Sequence, residues 1–261
     1  MAKDISAAVR EVCLCLPEVE EVLSHGSPNF RVRGKTFASY VVNHHGDGRV
    51  ALWLNAPTGV QDHYISSEPR FFFVPPYVGP RGWLGMHLDK GLSWKRIAEL
   101  VRQAYEKVAP PSLAAAIGKT VIIRPPAAKL AAAELDPLSS PRAQRILKPL
   151  RKLCLSWPET CEERQFGRPV WRAGKKVFAS MYCDRSAQTP QSARLKLEFW
   201  VGIAAQGLMV SDPRYEIPAY TGHNGWIALD VTRGCDWSEV RGLALQSYRH
   251  FALRRMLAAL G

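Results

Sequence analysis

Lys35-Thr36-Phe37-Ala38-Ser39 returns as Lys176-Val177-Phe178-Ala179-Ser180, the same strand-like pentad written again 141 positions later (176 − 35 = 141). That offset also joins Leu16-Pro17-Glu18 to Trp157-Pro158-Glu159, and Phe30-Arg31 to Trp171-Arg172. Further along, Pro69-Arg70 meets Pro213-Arg214, Tyr77-Val78-Gly79 meets Tyr220-Thr221-Gly222, and Trp94 and Tyr105 meet Trp237 and Tyr248. Gly82-Trp83 meets Gly225-Trp226 at an offset of 143 (226 − 83 = 143). The drift of two residues is expected between Tyr40 and Leu52, where the second copy has a polar stretch of Ser, Gln and Pro after Cys183. A period above a hundred residues is too long for a solenoid and implies two tandem globular domains. We place them at 1–113 and 144–261, joined by an Ala/Pro-rich connector at 114–143.

The chain has 261 residues, enough for two domains of about a hundred each, and its 47% hydrophobic content can supply both cores. No apolar stretch approaches the roughly 20 residues needed to span a bilayer. The N-terminus, with Asp4 and Arg10 around a short apolar run, does not read as a signal peptide, so a soluble cytoplasmic protein is expected. Six cysteines form no CxxC, and Cys13 and Cys154 share one repeat position inside apolar helix patterns. Buried reduced thiols are expected rather than disulfides.

Each copy parses into the same elements. Ile5, Ala8, Val9, Val12 and Leu16 fall near helical spacing, as do Ile146, Leu147, Leu150, Leu153 and Trp157. In the first copy, extended segments at 29–33, 35–42 and 49–55 are separated by Gly34 and by Gly46-Asp47-Gly48, which suits hairpins. A short helix is expected between 59 and 67, and between 202 and 210, then two strands near 71–74 and 83–88. The last helix begins after Ser93 or Asp236, both good N-caps. Along it Trp94, Ile97, Val101, Tyr105 and Val108 share a face, matched by Trp237, Val240, Ala244, Tyr248 and Phe251. The order α-β3-α-β2-α predicts an α+β fold of two tandem two-layer domains, each an antiparallel sheet covered by helices. In the connector, 120–124 is expected as an extra edge strand and 127–135 as a short helix stopped before Pro137.

These residues resemble the MmcQ/YjbR family. The resemblance runs through Leu16-Pro17-Glu18, the Gly-x-Pro-x-Phe-Arg segment from Gly26 to Arg31, the Lys-x-Phe-Ala strand at Lys35, and Pro76-Tyr77-Val78-Gly79-Pro80-Arg81-Gly82-Trp83 followed by Leu88-Asp89. The second copy is similar through Gly167-Arg168-Pro169-Val170-Trp171-Arg172, Lys176-Val177-Phe178-Ala179, Gly222-His223-Asn224-Gly225-Trp226 and Leu229-Asp230. It implies a CyaY-like α/β fold in each domain and a DNA-binding role. The second copy departs at His223-Asn224, where the family has a basic residue before Gly-Trp.

Charge offers an independent sign of a polyanionic partner, because 35 Lys and Arg against 23 Asp and Glu leave +12. Residues 1–113 carry 13 − 11 = +2, the connector 4 − 2 = +2, and 144–261 carry 18 − 10 = +8. The second copy starts with Arg142, Arg145, Lys148, Arg151 and Lys152, and has no acid until Glu159. Such a surface attracts phosphate backbones by releasing condensed counterions, or it is a solvated face that keeps the chain soluble. Arg31, Lys35, Arg172 and Lys176 form a repeated basic set on the strands, poised for phosphate or for ion pairs with Glu20, Glu21, Glu162 and Glu163. The Gly-x-x-Gly turns bring Arg81 and His223. Two glycines let backbone donors approach a phosphate, but a turn that leads into a Trp-containing strand also has a purely structural use. The candidate DNA contacts are therefore Arg31, Lys35, Arg81, Arg145, Lys148, Arg151, Lys152, Arg172, Lys176 and His223, mainly in the second domain.

No catalytic constellation is found, so no enzyme, cofactor or metal is expected. Ile117-Gly118-Lys119-Thr120 mimics the end of a phosphate-binding loop, but Leu113 stands where its leading glycine would be. His44, His45 and His63 lack a thiolate or carboxylate cluster to complete a metal site. Asp89 and Asp230 read as turn or cap residues. A protein-interaction adaptor that presents Trp53, Phe199 and Trp200, or a small-ligand protein with a cleft near Tyr77 and Trp83, remain open alternatives.

Overall fold

Each copy of the repeat folds around its own antiparallel sheet. The computed structural model describes residues 4–119, 121–126, 130–184 and 193–260. It divides into two units, Met1–Ala131 and Ala132–Gly261. In the first, the order is α1 (Ile5–Leu14), β1 (Val19–Ser24), β2 (Ser27–Val32), β3 (Lys35–Val42), β4 (Val50–Leu54), α2 (Val60–Ser67), β5 (Phe72–Phe73), β6 (Leu84–His87), α3 (Trp94–Val108) and α4 (Pro111–Ala115). The second has α5 (Ala132–Leu135), α6 (Pro141–Cys154), β7 (Thr160–Gln165), β8 (Arg168–Ala173), β9 (Lys176–Asp184), β10 (Arg194–Trp200), α7 (Ile203–Met209), β11 (Tyr215–Glu216), β12 (Trp226–Asp230), α8 (Trp237–Phe251) and α9 (Arg254–Ala258). The sheets have six strands each, ordered β1-β2-β3-β4-β6-β5 and β11-β12-β10-β9-β8-β7.

The repeated residues meet in space for packing reasons. Asp4 caps α1 by accepting from the Ala7 amide at 2.6 Å, and Ser93 and Asp236 cap α3 and α8 through the Arg96 and Ser238 amides. On each closing helix a fully buried tyrosine stands edge-on to a strand phenylalanine, with Phe37–Tyr105 and Phe178–Tyr248 centroids both 5.5 Å apart. Its hydroxyl donates to the prolyl carbonyl of the Pro-Glu turn, Tyr105 to Pro17 at 2.8 Å and Tyr248 to Pro158 at 2.9 Å. The turn itself passes through left-handed φ at Glu18 (52°) and Glu159 (50°).

Each sheet has one strand more than expected, because β1 and β7 pair with β2 and β8 along the edge. Val19-Glu20-Glu21-Val22-Leu23-Ser24 has too little apolar alternation to read as a strand; its acids face solvent and the helix-borne Arg10. The expected strand at 120–124 is not present over 121–124, where Ile122 is 95% exposed and Pro125-Pro126 remove two donors. Position 120, with the end of the Gly118-Lys119-Thr120 motif, and 127–129 of the expected connector helix lie outside the described residues, while α5 covers its end. Cys13 and Cys154 are buried, and burial pushes both thiols well up; Cys15 and Cys161 are instead exposed.

Strand pairing also relocates the insertion. Ser39 faces Trp53 whereas its twin Ser180 faces Glu198, so β4 and β10 correspond at an offset of 145 (198 − 53 = 145). The second copy therefore carries four extra residues in the β3–β4 connection rather than two, and 185–192 of it lie outside the described residues. This register changes the uncovered sheet face. In the first unit Val41, Ala51 and Trp53 form a small apolar cluster there with Phe73, Val78 and Trp83. In the second, Tyr182, Lys196, Glu198 and Glu216 hold those places. Lys196, only 3% exposed, pairs with Asp184 at 2.8 Å and with Glu216, while Glu198 binds Arg168 at 3.1 Å and accepts from Ser180 at 2.8 Å.

Candidate nucleic-acid interface

The basic opening helix of the second unit, α6, starts at a strong cap. Ser140 accepts from the Ala143 amide, and Pro141 occupies the first helical position, where its missing N–H costs nothing. Ala143, Leu147, Leu150 and Cys154 are buried, which turns Arg145, Lys148 and Lys152 outward at helical spacing. All three are exposed and have no ion-pair partner among the described residues. Arg151 lies on the flank and grips Glu162 through two bonds of 2.6 and 2.8 Å, an interaction that raises its pKa. Arg10 and Glu21 make the same bidentate pair in the first unit. The outward trio has no such twin: at the equivalent positions α1 carries Asp4, Ala7 and Glu11.

The strand set separates into engaged and free cations. Arg172 donates to Glu163 at 2.6 Å, to the Lys175 carbonyl at 2.9 Å and to Gln165, so its guanidinium is largely occupied within the sheet. Arg31 donates to Thr36 at 3.1 Å. Both arginines sit at a β-bulge, between Phe30 and Arg31 and between Trp171 and Arg172, which two-residue alternation could not reveal. Lys35 and Lys176 are exposed at the hairpin tips. The tip of β8–β9 lies against the start of α9, with Leu253 and Met256 3.9 Å from where a Gly174 Cβ would stand, and the neighbouring Lys175, Lys176 and Arg254 are all exposed. Arg254 belongs with Arg249 and Arg255 to the basic end of the second copy, whereas Lys175 is marked in the sequence only by Gly34 at the equivalent first-copy position.

The Gly-x-x-Gly turns use their own donors. The amides of Gly79, Arg81 and Gly82 bond to Pro75, Val78 and Gly79 carbonyls, and those of Gly222, Asn224 and Gly225 to Pro218, Thr221 and Gly222. A phosphate cradle needs such amides unengaged, so these turns are structural. Gly79 and Gly222 are required because a Cβ would lie 2.3 Å from Val74 or Ile217. Each turn is held by a glutamine that no sequence motif marks. Gln61 donates to Gly79 and Trp83 carbonyls at 2.9 and 2.5 Å, and Gln206 to Gly222 and Trp226 at 2.9 and 2.6 Å. The pair is visible only at the offset of 145 (206 − 61 = 145) that strand register reveals. Arg81 and His223 stay exposed on these turns, His223 beside Asn224 at 2.8 Å.

Other candidates resolve as packing. Phe199 is fully buried, Trp53 is 8% exposed, and Trp200 stacks on His250 at 3.4 Å, so none offers a free docking surface. His44 and His45 lie side by side at 4.0 Å, while His63 sits beside Tyr64 on α2. Among the described residues no His, Cys, Asp and Glu group could hold a metal ion, and no helix is long and apolar enough to cross a membrane. Asp230 accepts from the Thr232 amide as a turn residue.

A family model described as YjbR matches the chain twice, over residues 14–107 and 155–250. Among solved structures, the chain is similar to the crystal structure of Deinococcus radiodurans protein DR2400, a DUF419 domain. The two are 18% identical, with 42% of this chain and 82% of that chain covered and a TM-score of 0.36. No curated protein sequence matches it.

Proposed function

The chain belongs to the YjbR family in both of its halves, and from that premise we propose that it binds DNA through the phosphate backbone, without catalysing a reaction, and mainly through its second unit. One observation supports this above the others. The outward face of α6 carries Arg145, Lys148 and Lys152 where α1 carries Asp4, Ala7 and Glu11, although both helices keep the arginine that pairs with the first hairpin. Retention of the architectural charge beside divergence of the free charges is what a shared scaffold with a polyanion partner on one copy requires. The three cations extend about 10 Å along the helix axis, within reach of successive phosphates. Free Lys and Arg heads bind phosphates by releasing counterions, and such contacts position a protein without reading base sequence.

The test is fluorescence anisotropy with a labelled duplex across a salt series. The logarithm of affinity is expected to fall linearly with the logarithm of salt concentration, with similar slopes for unrelated sequences. Replacing Arg145, Lys148 and Lys152 by Ala together is expected to reduce that slope by about 3, roughly one for each phosphate no longer neutralised. Absence of binding at low ionic strength, or a triple variant that binds as the parent does, would sink the proposal.

A further inference from the structure

The first unit has a feature that the second lacks. An open cleft of about 340 Å³ lies where the loop after β4 meets the Gly79–Arg81 turn, and Arg81, Thr58, Asp62 and Lys107 are among the residues that line it. In the second unit the same place is closed. Val201 and Gly202 amides both donate to the Gly225 carbonyl at 3.0 Å, and a Cβ on Gly225 would lie 2.8 Å from the Gly202 Cα. Trp200 covers the remainder, stacked on His250 and donating to the Asn224 carbonyl at 3.0 Å.

The first copy cannot close in this way. Pro57 replaces Gly202 and has no amide proton to give, and the Ala56 amide turns back to the Leu54 carbonyl at 2.9 Å. Nothing lies within 4 Å of the position a Gly82 Cβ would take. Asn55 stands for Trp200, Arg81 for Asn224 and Lys107 for His250, so the substitutions that open the cleft also place two basic side chains in it. Lys107 uses two of its three ammonium donors on Asn55 and the Ala56 carbonyl, at 2.8 and 2.7 Å, which fixes the head and leaves one donor. The Arg81 guanidinium has no protein partner among the described residues.

We propose that this cleft is a binding site for a small phosphomonoester, its phosphate held between Arg81 and Lys107 and a ligand hydroxyl donating to Asp62. Arginine offers the planar fork that suits a phosphate, and Asp62 disfavours a bare inorganic anion while rewarding an organic part with hydroxyls. The site is independent of the DNA contacts proposed for α6. It serves either a free nucleotide or the phosphorylated end of a strand.

Isothermal titration of the full chain with adenosine 5′-monophosphate tests it, with adenosine and inorganic phosphate as controls. Saturable binding of the monophosphate, weaker binding of phosphate and none of adenosine are expected. Arg81→Ala should weaken it at least about tenfold, with an unchanged circular dichroism spectrum because Arg81 is exposed and unpaired. The triple α6 variant should leave it unaltered. Comparing 5′-phosphorylated with 5′-hydroxyl hexanucleotides identifies the source of the phosphate. No saturable binding at millimolar monophosphate, equal binding of adenosine, or an affinity that Arg81→Ala leaves intact would overturn the proposal.

Discussion

Gln206 shows how much one side chain can fix. The residue is 6% exposed, and its side-chain amide donates to two carbonyls that belong to opposite ends of a turn, so the turn and the strand after it are tied at one point. Replacing it by Ala removes both donors and leaves the Gly222 and Trp226 carbonyls without that partner. A loss of about 1–3 kcal/mol is expected in urea unfolding. Gln61→Ala should cost less, because Gln61 is only half-buried and water can reach the vacated carbonyls. The same logic at residue scale separates the candidate cations. Arg151 and Arg172 are engaged by Glu162 and Glu163, whereas Arg145, Lys148 and Lys152 are not. The sequence supplies the charges of this site, but which are engaged depends on cross-strand neighbours that spacing alone leaves open.

At the scale of elements, the two sheets keep one covered face and diverge on the other. Lys196 and Glu198 occupy a register that would hold apolar groups, and each is nearly buried with its counter-charges. Lys196→Met should destabilise the second unit by about 1–3 kcal/mol, since the buried ammonium and its ion pairs with Asp184 and Glu216 would be lost, partly relieved by the access of both carboxylates to water. A denaturation midpoint unchanged by this substitution would show the pairs to be solvated in practice. Much of this level was legible beforehand. Ser93 and Asp236 announce the long helices α3 and α8, and Phe37 and Tyr105 with their twins lie in motifs that any alignment of the copies finds. The edge strands β1 and β7 were not, because Glu20, Glu21, Glu162 and Glu163 mask the alternation that marks a strand. The sheet-face exchange was hidden for another reason. Aligning the copies at 143 sets Trp53 against Lys196, while the ladder sets it against Glu198.

For the molecule as a whole, charge is distributed less by total than by arrangement. Divided at the structural boundary, the units carry 16 − 11 = +5 and 19 − 12 = +7. The asymmetry seen in the sequence therefore lies in the pairing on the equivalent helices α1 and α6, where α6 leaves three cations free. Acid should distinguish the units. Burial lowers the pKa of His44 and His87 in the first unit and of His250 in the second, from an ordinary 6.5. Their unfolded forms then bind protons that the folded forms resist. Stability is fully present above about 6.5 and declines as pH falls below it. Glu68, Glu159 and Asp212 are held below their usual range by hydrogen bonds from Arg96, Arg255 and Arg214, and act only at lower pH. Scanning calorimetry between about pH 7.5 and 5.5 should show a lower melting temperature, more for the first unit, which has two such histidines. A midpoint that rises over this interval would contradict that assignment.

The four residues gained between β3 and β4 in the second copy change no rung of the ladders on either side: Val42 still faces Val50, and Cys183 faces Leu195. Lengthening a surface connection of this size costs only about 0.6 kcal/mol per doubling. The exposed tip of the first copy's counterpart, Gly46-Asp47-Gly48, is thus a ready place to splice an epitope or fluorophore-accepting peptide, giving a reporter on one half of the protein that leaves both sheets and the α6 surface as they are.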